Sequence, residues 1–129
     1  MVLQQTLVLV KPDGVARGLT GDVIKRFEQR GLKIIALKLV KIDVDHAKQH
    51  YTDDITKRRG EVVRNRLLGF LTEGPVVAMI IEGVDAIANV RKLVGATESS
   101  AALPGTIRGD FTHVSYAHAD EKEIPVRNV

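Results

Sequence analysis

A chain of 129 residues has room for one domain and one core, and 44% apolar residues supply the material for it. Lys and Arg exceed Asp and Glu by 19 to 16, an excess too small to imply a nucleic-acid or membrane partner. With no cysteine, disulfides and thiolate metal sites are excluded. No apolar run approaches a membrane span, and the N-terminus does not read as a signal peptide, because Gln4 and Gln5 interrupt it and Lys11 ends its apolar run. The default expectation is a soluble, cytoplasmic protein.

Residues 6–10 form a short, continuously apolar run rich in branched side chains, which predicts a central strand buried on both faces. Lys11-Pro12-Asp13-Gly14 breaks it, so Lys11 is expected at the strand's carboxyl end, where α/β sheets gather ligands. Thr20 suits the cap of a helix with Val23, Ile24 and Phe27 inward and Gly31 as its stop. Residues 32–42 predict a long second strand. Residues 45–51 suit a short helix, and 52–59 are polar and irregular. From Gly60, a stripe of Val63, Leu67, Phe70 and Leu71 predicts an amphipathic helix that Gly74-Pro75 ends. A buried strand over 76–81 and a helix over 84–94, with Ile87, Val90 and Val94 inward and Gly95 as terminator, complete the regular part. Strand and helix alternating in this way predict α+β packing, with helices on a small sheet.

Residues 95–129 carry no strong helix signal and only a weak strand signal over 111–116. A stretch this long without regular structure is usually functional. Its centre is Leu103-Pro104-Gly105-Thr106-Ile107-Arg108-Gly109-Asp110-Phe111. Glycines permit close backbone approach, and a guanidinium at the centre suits a phosphate through two parallel hydrogen bonds. The plainer alternative is a solvated loop with an Arg108–Asp110 ion pair.

These nine residues resemble the signature loop of nucleoside diphosphate kinases. Lys11-Pro12-Asp13-Gly14-Val15 with Arg17-Gly18 resembles that family's opening motif, Gly74 to Met79 its central strand, and Arg91 to Thr97 the helix end that follows. Arg127-Asn128 resembles the pair just before its nucleophilic histidine. The resemblance implies a single ferredoxin-like domain over 1–129, an antiparallel sheet with helices on its faces, whose last strand and helix would follow Asn128. It implies Mg²⁺-dependent, ping-pong transfer of the γ-phosphate of ATP or another nucleoside triphosphate to nucleoside diphosphates. Lys11, Arg91, Thr97 and Arg108 would hold the phosphates and Asn128 the sugar, with Tyr51 beside the histidine, and Mg²⁺ bridging the phosphates. It also implies a homo-oligomer, a tetramer or hexamer of dimers, in which the long second strand pairs with its twin. A P-loop mechanism is excluded by the absence of its glycine–lysine motif.

Two features depart from the family pattern. Residues 54–60 hold no aromatic on which a base could stack; Phe70 belongs to the core stripe, leaving Arg58 or Arg59 as planar substitutes. The nucleophile itself would be the second residue beyond Val129, so the chain as it stands is expected to be inactive and its natural product to continue. Of the four histidines, His46 and His50 share a helix face without a third metal ligand, and His113 and His118 fall in the stretch 112–126, read as an insertion. His118, in Ala-His-Ala-Asp, echoes the family's histidine motif but precedes the Arg-Asn pair, and is expected to be exposed and uninvolved. The alternative to the enzyme is a nucleotide-binding homologue acting through assembly or regulation. An RNA-binding domain of similar fold would need aromatics on its strands, and these strands carry none.

Overall fold

The computed structural model describes residues 2–43, Asp45 and 60–129. Beyond Asp45, the helix and polar stretch expected over 45–59 lie outside the described residues. Three strands, β1 (Leu3–Val10), β2 (Lys33–Lys41) and β3 (Pro75–Val84), form a sheet in the order β1-β3-β2. Both outer strands run antiparallel to β3. β1 and β2 are therefore parallel to each other, with β3 between them and helix α2 (Thr20–Gln29) on the crossover, a split βαβ unit of the ferredoxin-like kind. The remaining helices are α1 (Pro12–Ala16), α3 (Glu61–Leu71), α4 (Ala86–Val94), α5 (Ile107–Phe111) and α6 (Tyr116–Lys122), with a 3₁₀ turn at Ser99–Ala101. Among the described residues, no helix is long and apolar enough to cross a membrane.

The period-two alternation of β3 divides the core. Val77, Met79 and Ile81 point to one face, where Val8 and Val10 meet Val23 and Phe27 of α2 and Ala86 and Val90 of α4. Val76 points to the other, where it meets Leu68 and Leu71 of α3. Phe27 is fully enclosed, and replacing such a ring with alanine costs about 3–5 kcal/mol. The α+β architecture with helices on both faces is as expected.

Several local expectations need correction. Among the described residues β3, not β1, is the central strand, and β1 is not buried on both faces, since Leu7 is 56% exposed. Thr20 begins α2 rather than capping it; Leu19 holds the cap position, without a side-chain bond. Ile87 is 45% exposed because α4 starts at Ala86, which takes the inward position and sets the i, i+4, i+7, i+8 series Ala86, Val90, Leu93, Val94. The tail forms no strand at 111–116. Instead Thr106 and Ser115 accept hydrogen bonds from the N–H groups of Gly109 and His118, and each nucleates a short helix.

Candidate active site

β1 ends at Val10, and the next residue, Lys11, occupies the cap position of α1 with an extended backbone. The chain returns here at residues 127–129. The N–H of Lys11 donates to the carbonyl of Val129 at 2.8 Å. The Lys11 ammonium donates to Asn128 Oδ1 at 2.9 Å, and Asn128 Nδ2 donates to the carbonyl of Thr97 at 2.7 Å. Asn128 is only 2% exposed, so its amide braces the end of β1 against the loop after α4. Burial first, and the neighbouring Arg108 second, push the Lys11 ammonium down to about 8, against the opposing pull of Asp13.

Arg108 reaches the same place from α5. Its Nε donates to the carbonyl of Asn128 at 3.2 Å and its Nη1 to that of Gly95 at 3.4 Å. The helix that carries it is tightly specified: the Thr106 hydroxyl donates to the Leu103 carbonyl and accepts from the N–H of Gly109. A Cβ at Gly109 would collide with that Leu103 carbonyl, so only glycine fits there. Two cations and a primary amide thus converge at the carboxyl end of β1, an arrangement suited to a polyanion that can neutralise both charges.

Of the expected site residues, Lys11, Arg108, Asn128 and Thr97 come together, Thr97 through its backbone carbonyl while its side chain is exposed. Arg91 lies exposed in the last turn of α4 and enters none of these hydrogen bonds; its carbonyl accepts from Gly95, the residue whose own carbonyl binds Arg108. Tyr51, like Arg58 and Arg59, lies outside the described residues. His118 is exposed on α6.

Sequence reasoning missed three supports. Asp110 pairs with Arg26 of α2 at 2.6 Å, not with Arg108, and it also accepts from the N–H of Gly105. The same Arg26 donates to the Gly105 carbonyl and sits over the Phe111 ring, tying the whole 105–111 segment to α2. Arg127 makes two 3.0 Å bonds to Glu73 and lies over Phe70, which fixes the approach to Asn128. Asp13 accepts from the N–H of Val129 at 2.9 Å. Partners 84 or 116 residues apart leave no local pattern to read.

Comparison with known proteins identifies the family of the chain. The sequence profile of the family described as nucleoside diphosphate kinase matches residues 4–123. A nucleoside diphosphate kinase of Borreliella burgdorferi is 52% identical over 130 residues, which span 100% of this chain and 78% of that one. A solved structure described as a transition state mimic of the nucleoside-diphosphate kinase from Borrelia burgdorferi, with bound vanadate and ADP, superposes with a TM-score of 0.96, covering 100% of this chain and 77% of the other. An NDP kinase from Pyrobaculum aerophilum, 33% identical, gives a TM-score of 0.89 over 98% of this chain and 86% of its own. The chain belongs to the nucleoside diphosphate kinase family of phosphotransferases.

Proposed function

We propose that Lys11, Arg91, Thr97 and Arg108 hold the phosphates of a nucleoside di- or triphosphate, with Asn128 turned toward the sugar, for γ-phosphate transfer between ATP and nucleoside diphosphates. The observation that carries this is the convergence of Lys11, Arg108 and Asn128 on one spot at the end of β1. Phosphoryl transfer asks a protein mainly for positioning and for positive charge around the moving group, and these side chains supply both. When phosphate arrives, the Lys11 ammonium exchanges its amide acceptor for a charged oxygen, and the amide of Asn128 is released toward the ribose. The transfer itself would run through a histidine of the family motif that Arg127-Asn128 introduces, with Tyr51 beside it.

Among the described residues, no cluster of three or more His or acidic side chains could hold a metal ion. The groups gathered here suit phosphate oxygens rather than a bare cation. Mg²⁺ would come with the nucleotide, where it would supply charge neutralisation for the phosphates. A cytoplasmic setting and a homo-oligomeric assembly, a tetramer or hexamer of dimers, go with this reading.

The test is ADP titration into the protein and its Arg108→Ala variant. Loss of a charge-assisted bond is worth on the order of 1.5–3 kcal/mol, so affinity should fall roughly tenfold or more, with little change in ligand-free melting. Equal affinity in the two proteins would overturn the assignment.

A further inference from the structure

Asp13 is 8% exposed, and no step above uses it. Its Oδ2 accepts from the N–H of Val129 at 2.9 Å, while the carbonyl of Val129 accepts from the N–H of Lys11 at 2.8 Å. Both polar groups of Val129 are thus held by the turn that follows β1. The turn also packs closely against Val129: a Cβ at Gly14 would stand 3.0 Å from Val129 Cγ1 and 3.4 Å from its carbonyl oxygen. Sliding residues 127–129 by one position would break both hydrogen bonds and carry the Asn128 amide away from Lys11 and Thr97. We propose that Asp13 is a positioning residue of the nucleotide site, setting the register of residues 127–129 so that the Lys11 ammonium faces the phosphates while Asn128 stands beside it, toward the sugar. This rests on the nucleotide-binding reading given above.

A purely architectural role explains the residue poorly. Among the described residues, Asp13 Oδ1 is buried without a hydrogen-bond partner. A buried carboxylate with an idle oxygen is costly, and a neutral asparagine could accept the same N–H. What asparagine lacks is the charge. Among the described residues, the charged groups that face Lys11 are Arg108 from α5, which disfavours its protonated form, and Asp13 from α1, which favours it. Asp13 also attracts Arg127, the anchor of the same segment. One carboxylate therefore fixes the register and helps keep the ammonium charged.

The experiment compares wild type, Asp13→Asn and Asp13→Ala by calorimetric ADP titration between pH 6 and 9, alongside ligand-free melting. Asp13→Asn should melt at or above the wild-type temperature and bind ADP almost normally at pH 6. Its affinity should begin to fall at a lower pH than wild type does. Asp13→Ala should bind roughly tenfold more weakly at every pH, and the slowly exchanging Asn128 side-chain amide signals of the wild-type NMR spectrum should be lost. Wild-type affinity and an unshifted pH profile in Asp13→Asn would overturn the charge role. If Asp13→Ala folds and binds normally with its Asn128 signals intact, the register role falls; if it does not fold, Asp13→Ser, whose hydroxyl is too short to keep the bond to Val129, takes its place with the same two outcomes. Failure of the wild-type protein to bind ADP would instead refute the nucleotide-site reading on which the proposal stands.

Discussion

Lys11 sets the clearest expectation at the scale of single residues. An ammonium lowered to about 8 from 10.5 binds fewer protons folded than unfolded between those values. Below about 8 the cost of burying its charge is fully present, and it is relieved as pH rises toward 10.5, so ligand-free stability gains from this group over that window. Nucleotide binding should respond in the opposite sense, because phosphate favours the charged form. ADP affinity should be flat below pH 8 and then fall by up to about tenfold per pH unit, the slope of one linked proton. Calorimetry in buffers of different ionisation enthalpy would show proton uptake near pH 8.5 in wild type and none in Lys11→Met. His118 should behave differently. It lies exposed on α6, and its N–H is engaged only in capping to Ser115 at 3.1 Å. His118→Ala should bind ADP as wild type does, and a loss beyond twofold in the same titration would bring that residue back into consideration.

At the scale of elements, the latch between α2 and the 105–111 segment decides how firmly Arg108 is presented. The N–H of Gly105 and then the Arg26 guanidinium hold the Asp110 carboxyl below the usual carboxylate value. A carboxyl depressed in the folded state contributes stability above its unfolded pKa of about 3.9 and loses it as pH falls through the lower folded value. The melting difference between wild type and Asp110→Asn should therefore be present at pH 7 and shrink below pH 4. Arg26→Ala should weaken ADP binding, measured by the same titration, since Arg26 ties down the segment that carries Arg108. Elements were largely legible in the sequence because periodicity is local. The stripes of α2 and α3 and the branched runs of β1 and β3 announced themselves. The failures have physical causes. Ile87 was misassigned because the start of α4 depends on Asp85, which adopts a left-handed backbone that no periodicity reveals. Helices α5 and α6 were missed because each is one or two turns long and is held by a cap and by distant anchors, such as Glu98 accepting from the N–H of Tyr116 at 2.7 Å. Lys11 and Arg108 were legible from their place at a strand end and in a glycine-rich loop, and Asn128 from the motif resemblance, while the long-range partners of Asp13, Arg26 and Glu73 leave no local pattern.

At the scale of the whole molecule, both outer strands, β1 and β2, have one unpaired edge among the described residues, and that of β2 is the longer strand's. β2 pairs with β3 on one edge only, and along it Leu37 is 54% and Leu39 66% exposed. An open edge carrying large apolar side chains is a surface that soluble proteins rarely leave bare. Covering it with the same strand of a second copy would satisfy the free backbone groups and bury these leucines in one self-complementary contact. Light scattering at micromolar concentration should then return the mass of a dimer or of a multiple of it. Leu39→Asp, which places a charge in that contact, should shift the protein toward monomer. The site should survive that change, because Lys11 and Asn128 lie at the end of β1, on the opposite edge of the sheet from β2. The dissociated variant is therefore expected to keep ADP affinity within about threefold of wild type, a difference below 1 kcal/mol. A monomeric wild-type mass would remove the dimer, and a dimeric Leu39→Asp protein would move the contact elsewhere on the surface.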